Sequence, residues 1–185
     1  GDHLKSEFGR KTVKLSIDAG FTCPNRDGTA GYGGCAFCSE GGSGELASRA
    51  SSSDSDYSAS ISEQIDRLSE KWPDACYLAY FQSFTGTYGP VERLEGLYRA
   101  AMEPEDIVAL SIATRPDCLP EEIVELLTEL NQIKPITIEL GLQTSNDETA
   151  ERINRGHGFA EFCTGVDKLR SANPHIGVGV HLILG

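Results

Sequence analysis

The stretch Cys23-Pro-Asn-Arg-Asp-Gly-Thr-Ala-Gly-Tyr-Gly-Gly-Cys35-Ala-Phe-Cys38 decides how the chain is read. It holds three cysteines at the spacing C-x11-C-x2-C. Proline, asparagine and glycine between them favour turns, so the segment reads as a loop. The apolar run Val13-Lys-Leu-Ser-Ile-Asp18 just before it reads as a strand. Three thiols are therefore gathered beyond the C-terminal end of one strand, the edge where α/β folds build their sites.

Thiolates bind soft metals, as zinc or in iron–sulfur clusters. A structural zinc site closes four ligands, whereas the near sequence supplies three and leaves one position open. Two other readings stand beside a cluster. One is a zinc knuckle completed from a distance by His157 or Cys118. The other is a Cys35–Cys38 redox pair. Cys76 and Cys163, placed in a strand and a helix, read as small buried hydrophobes.

Bulk composition narrows the classes. The chain has 185 residues, 39% of them hydrophobic, enough for one cored domain. No apolar run reaches membrane-spanning length, and no secretory signal is visible. Free cysteines without such a signal suggest a reducing compartment, and a cytoplasmic location is expected. The net charge of −12 lies entirely in residues 51–185, where acids such as Glu121, Glu122, Glu125 and Glu129 sit on expected helices. That balance carries no strong nucleic-acid signal.

The organisation alternates. Residues 1–12 read as a polar N-terminal arm and 13–185 as the core, with an exposed, mobile Ser/Gly-rich loop over about 39–60. Strands are expected at 13–18, 76–81, 107–112, 135–142 and 176–184. Between them fall helices with apolar stripes: Ile61, Ile65, Leu68 and Trp72; Val91, Leu94, Leu97 and Tyr98; Ile123, Leu126, Leu127 and Leu130; Phe159, Phe162, Val166 and Leu169. Pro90 is expected at the first helical position, and Ser145 with Glu148 reads as a capping box. Buried strands alternating with helices mean a parallel sheet. The fold class is α/β, a partial parallel (βα) barrel with about five units, read as truncated after the fifth strand because no covering helix follows it.

Phe37 between the last two cysteines, the words Phe8-Gly-Arg-Lys, Asp18-Ala-Gly-Phe-Thr-Cys23-Pro-Asn-Arg-Asp-Gly28 and Gly34-Cys-Ala-Phe-Cys-Ser39, and the later Glu139-Leu-Gly-Leu-Gln143 and Asn154-Arg-Gly156 resemble the radical S-adenosylmethionine (SAM) superfamily. Within it they resemble the YhcC-like group, related to the branch of the Elongator catalytic subunit and oxygen-independent coproporphyrinogen oxidase. The resemblance runs from about Phe8 to Gly185. The eleven-residue gap departs from the superfamily's commonest C-x3-C-x2-C spacing.

The resemblance implies a 4Fe-4S cluster on Cys23, Cys35 and Cys38, with SAM on the fourth iron and Phe37 beside the adenine. It implies that Gln143 contacts the SAM ribose and Arg155 the SAM carboxylate, and that Ile183 belongs to the adenine motif, with His181 near it. Gln82, Ser83 and Thr85 stand where a glycine-rich turn usually holds the SAM amino group. Alanine stands at the position of a ribose-binding glutamate, for which Ser111, Thr114 or Arg115, or no residue, substitutes. Apart from the family, Arg155 reads equally as a surface ion pair with Glu151, and as an exposed residue of little weight in stability. An electron donor such as flavodoxin or ferredoxin is also implied. The activity implied is reductive cleavage of SAM to a 5′-deoxyadenosyl radical that takes hydrogen from a substrate. The rival class is a non-catalytic zinc-binding α/β interaction domain. No side chain is assigned as general acid or base.

Overall fold

Alternation along the chain becomes one all-parallel sheet. The structure, a computed structural model, describes residues 2–39, 48–49 and 54–184. Helix α1 (Asp2–Phe8) precedes β1 (Thr12–Asp18), a two-residue β2 (Ser48–Arg49), α2 (Asp54–Ser69), β3 (Cys76–Phe81) and α3 (Val91–Met102). Then come β4 (Ile107–Thr114), α4 (Glu121–Leu130), β5 (Ile136–Gln143), α5 (Asp147–Arg152), α6 (Phe159–Ala172) and β6 (Gly177–Leu182). The strand order is β2-β1-β3-β4-β5-β6, and every pair is parallel. This is the open, partial βα barrel expected, with β2 added outside β1.

The core lies between the sheet and helices α2, α3, α4 and α6. Leu15, Ile17, Ala79, Phe81, Leu110, Ile112, Ile138 and Leu140 face Leu94, Leu97, Tyr98, Leu127, Leu130 and Leu169 across it. Burying an aliphatic or aromatic side chain of this size contributes about 1.5–3 kcal/mol each, which fixes the helices on that face. The opposite, concave face is lined sparsely. Leu78, Tyr80 and Ala109 form a small second cluster there, with Phe8 and Ala113 packed on it.

Several boundaries move. Residues 2–8, read within a polar arm, form α1, and its Phe8 closes on the concave face. Of the expected loop over 39–60, residues 40–47 and 50–53 lie outside the described residues, Ser48–Arg49 is a strand, and α2 begins at Asp54. Helix α2 ends at Ser69, before Trp72, whose ring instead lies under Lys11 and Lys71 at 4.2 and 4.7 Å. Pro90 takes the N-cap position of α3, not the first helical one. At α5 the cap is Asn146, whose side-chain oxygen accepts from the Thr149 N–H at 2.8 Å, so the expected Ser145 box does not form. Cys76 is buried, but Cys163 is exposed, against expectation.

Candidate cofactor site at the sheet rim

The eleven-residue gap between Cys23 and Cys35 is a closed excursion. Its start turns where Arg26 N–H donates to the Cys23 carbonyl at 2.8 Å. Asp27 and Tyr32 form an isolated antiparallel bridge across it, and Gly34 N–H donates to the Asn25 carbonyl at 2.9 Å. Gly28, Gly33 and Gly34 take φ of 93°, 80° and 75°, conformations that only glycine adopts without strain. The extra residues loop out and return, so that Cys35 re-enters beside Cys23. Cys38 follows in a tight turn, its N–H on the Cys35 carbonyl at 3.0 Å.

The excursion is fastened to the turn after α5. Asn25 donates to the Asn154 carbonyl at 2.5 Å and to the Cys35 sulfur at 3.6 Å. Asn154 answers with its own amide on the carbonyls of Gly34 and Tyr32, at 2.7 and 3.1 Å. Ala36 N–H donates to the Ile153 carbonyl at 2.9 Å. Arg115 joins from β4's end, donating to the Arg155 and Gly156 carbonyls at 2.8 and 3.0 Å while its fork holds the Asp117 carboxylate.

Cys23, Cys35 and Cys38 line one cavity, and each is partly exposed. The Cys38 thiol donates to the Cys35 sulfur. That bond, with Asn25's amide and the charges of Arg115 and Arg26, outweighs burial and holds Cys35 at about 6, far below an ordinary thiol. The same bond, together with burial, pushes Cys38 up. Among the described residues no three or more His, Cys, Asp or Glu side chains are grouped to hold a single metal ion. A cubane puts each cysteine on a different iron, so its ligands need only ring a common space, as these three do. The donor set fits a cluster with one iron left open.

His157 lines the same cavity, and burial lowers its pKa. Cys118 is buried off the cavity, and burial and the Asp117 charge push its thiol up to about 12.

The other rim residues divide. Gln82, Thr85, Gln143 and His181 line the cavity with the cysteines. Phe37, Cys38, Gln143, His181 and Ile183 also line a second cavity, so Phe37 from the cysteine loop and Ile183 beyond β6 face one space. Gln143 sits at a bulge in the β5–β6 pairing with φ 56°, and its carbonyl accepts from Ile183 N–H at 3.0 Å. Ser83 is buried, and its hydroxyl finds no partner among the described residues. Phe84 takes the positive φ, 58°, that a glycine turn would use there. Gly86, next after Thr85, packs so closely on Ala113 that a Cβ would meet its carbonyl at 2.8 Å.

Arg155 is not a surface residue; it is 1% exposed. Its guanidinium donates to the carbonyls of Leu142, Thr144 (2.6 Å) and His157 (2.8 Å), and Nη2 faces Asp147 at 3.7 Å. The expected pair with Glu151 is replaced by these contacts. Its main-chain carbonyl, not its side chain, lies against Cys35, at 3.9 Å.

Ser111 lies deeper. It donates at 2.5 Å to Glu139, which also accepts from Lys14 (3.0 Å) and pairs with His181 (2.6 Å). Glu139, Lys14, Tyr80 and Asn25 were not singled out from sequence. For Glu139 a signal existed: apolar residues alternate with others along Ile136-Thr-Ile-Glu-Leu-Gly-Leu-Gln143, and burial follows that alternation, placing Thr137, Glu139, Gly141 and Gln143 on the concave face.

The comparisons agree with this geometry. The family description "Radical SAM superfamily" matches residues 23–185. The chain is 46% identical over 183 residues to "Uncharacterized protein YtqA" of Bacillus subtilis, covering 99% of this chain and 55% of that protein. It is 40% identical over 187 residues to "Protein YhcC" of Escherichia coli, covering 100% and 57%. It therefore spans a little over half the length of these relatives. Its fold resembles the cobalamin-dependent S-adenosylmethionine radical enzyme OxsB, with TM-score 0.61 and 14% identity over 97% of this chain and 25% of that one. With the cysteine excursion, the parallel sheet and a match across nearly its whole length, the chain belongs to the radical SAM superfamily.

Proposed function

We propose that Cys23, Cys35 and Cys38 hold a 4Fe-4S cluster, that SAM binds beside it, and that the full-length protein takes a hydrogen atom from a substrate lying on the concave face. The observation that carries this reading is the meeting of residues from three separate elements. The three cysteines, Phe37, Gln143, His181 and Ile183 line two cavities that share Phe37, Cys38, Gln143 and His181.

When bound, the cluster and SAM supply a 5′-deoxyadenosyl radical after one-electron reduction. The chain's own residues position and shield. Asn25 and Asn154 fix the loop that carries the thiols, and Arg26 and Arg115 offset thiolate charge. Phe37 and Ile183 offer apolar surface to a flat base, and Gln143 offers an amide for a ribose hydroxyl. Gln82 and Thr85 form the facing wall. Arg155 holds the end of β5 in place, so its part in SAM binding runs through its main chain. A one-electron donor such as flavodoxin or ferredoxin completes the scheme, which suits a cytoplasmic protein.

Metal analysis of the anaerobically reconstituted full-length protein tests the reading. Iron with sulfide and a broad visible absorbance, both lost in a Cys23/Cys35/Cys38→Ala variant, are expected. Colourless protein holding zinc in place of iron would instead support the interaction-domain reading.

A further inference from the structure

Five side chains, one from each long strand, meet on the concave face inside the rim. They are Lys14 of β1, Tyr80 of β3, Ser111 of β4, Glu139 of β5 and His181 of β6. Glu139 is the hub. One carboxylate oxygen takes Lys14 at 3.0 Å and Ser111 at 2.5 Å, the other lies 2.6 Å from His181 Nε2, and Tyr80 also hydrogen-bonds the carboxylate. Lys14 lies over the Tyr80 ring at 4.0 Å. Tyr80, Glu139 and His181 line the cavity of the three cysteines, so the network and the cofactor site share one space. Gly179, the β6 partner of Glu139, keeps that space open, since a Cβ there would meet Glu139 Cγ at 3.3 Å.

We propose that this network binds an anionic group of the substrate, a carboxylate or a phosphate ester, through the Lys14 ammonium, with the His181 ring beside it. The proposal rests on the radical SAM reading, which puts the substrate against this face. Three observations carry it. The Glu139 side chain is 12% exposed and both its oxygens already accept hydrogen bonds, so it has little left for an incoming cation. Lys14 and His181 are 48% and 49% exposed, and an ammonium has three N–H donors of which Glu139 takes one. Among the described residues Glu139 is the one carboxylate lining the cavity, and Arg26 lines it too, whereas Arg115 is held by Asp117 and Arg155 turns its guanidinium to main-chain carbonyls. Glu139 is thus a positioning residue that holds the Lys14 ammonium, the donor to the anion, and orients the His181 ring beside it, as an outer carboxylate fixes a histidine's orientation elsewhere.

The test uses the reconstituted full-length protein labelled with 15N-histidine, with the His181 ring signal assigned by His181→Gln. Succinate, inorganic phosphate and ethylammonium are the probes. Saturable shifts with succinate, phosphate or both are expected, weakened at least tenfold in Lys14→Met and restored to within about threefold by Lys14→Arg. Succinate alone would fix the class as carboxylate, phosphate alone as phosphate ester. No saturation with either anion, or the same affinity in Lys14→Met, overturns the proposal. So does saturation by ethylammonium alone, which would make Glu139 the ligand group. Visible absorbance is read on the same samples. Intact chromophore without anion binding overturns this inference alone, whereas protein lacking an iron–sulfur chromophore overturns it together with the reading beneath it.

Discussion

Asn25 donates its side-chain amide to the main-chain carbonyl of Asn154 at 2.5 Å, joining points 129 residues apart. Asn154 returns the contact to Gly34 and Tyr32, so each asparagine holds the other's loop. The cysteine excursion owes its position to this exchange more than to packing, because Tyr32 and Phe37, its two aromatic residues, are both exposed.

Asn154→Ala removes both donors and puts a non-glycine residue without a local hydrogen-bonding side chain at φ 51°. The expected result is at least a halving of iron per chain after reconstitution, with far-UV circular dichroism unchanged. Unaltered iron content would show that the loop finds its place without the latch.

Gly156→Ala probes the same joint from the other side. Gly156 has φ 77°, and a Cβ there would lie 2.8 Å from Asn25 Oδ1. A cost of about 1–3 kcal/mol is expected from the strained backbone, read as a lower urea midpoint at unchanged m-value. No shift of the midpoint would contradict the geometry.

Arg155→Ala is expected to destabilise the full-length apo protein by about 2–4 kcal/mol, because it strands the buried carbonyl of Leu142 and the part-buried carbonyls of Thr144 and His157. This reverses the expectation from sequence, where Arg155 stood as an exposed residue of little weight. Arg155→Lys should recover only part, since an ammonium lacks the planar fork that reaches three acceptors. Calorimetric melting with no change in Tm would contradict the structural role.

Glu139 gives a pH test. Burial opposes its ionisation, but hydrogen bonds from Ser111 and Lys14 and the Lys14 charge outweigh it, so its carboxyl titrates below its ordinary value. A depressed carboxylate stabilises the folded state above its unfolded pKa, about 4.3. That contribution fades as pH falls through the folded pKa. Glu139→Gln should therefore be less stable than the parent at pH 7, and the gap should narrow below about pH 4. Urea unfolding at the two pH values measures it, and a gap that widens in acid would contradict the sign.

Much of the fold was legible because period and burial agree. Cys76–Phe81 is apolar throughout and is buried at every position, as a central parallel strand requires. The cysteines were legible because C-x2-C around an aromatic is local. What escaped was long-range. Asn25, Asn154 and Arg155 act on carbonyls more than ten residues away in sequence, or on atoms no side-chain pattern encodes. Glu139 and Lys14 meet only because β1 and β5 curve toward each other across β3 and β4. The short β2 was hidden in a serine-rich stretch that has no strand signature.

The most direct measurement is 5′-deoxyadenosine formed by the reconstituted, chemically reduced full-length protein supplied with SAM. Formation in the parent, falling to background in the Cys23/Cys35/Cys38→Ala variant, is the expected result. An equal yield from parent and variant, or none from a parent with full iron and sulfide content, would contradict the assignment of Cys23, Cys35 and Cys38 to a cluster that cleaves SAM.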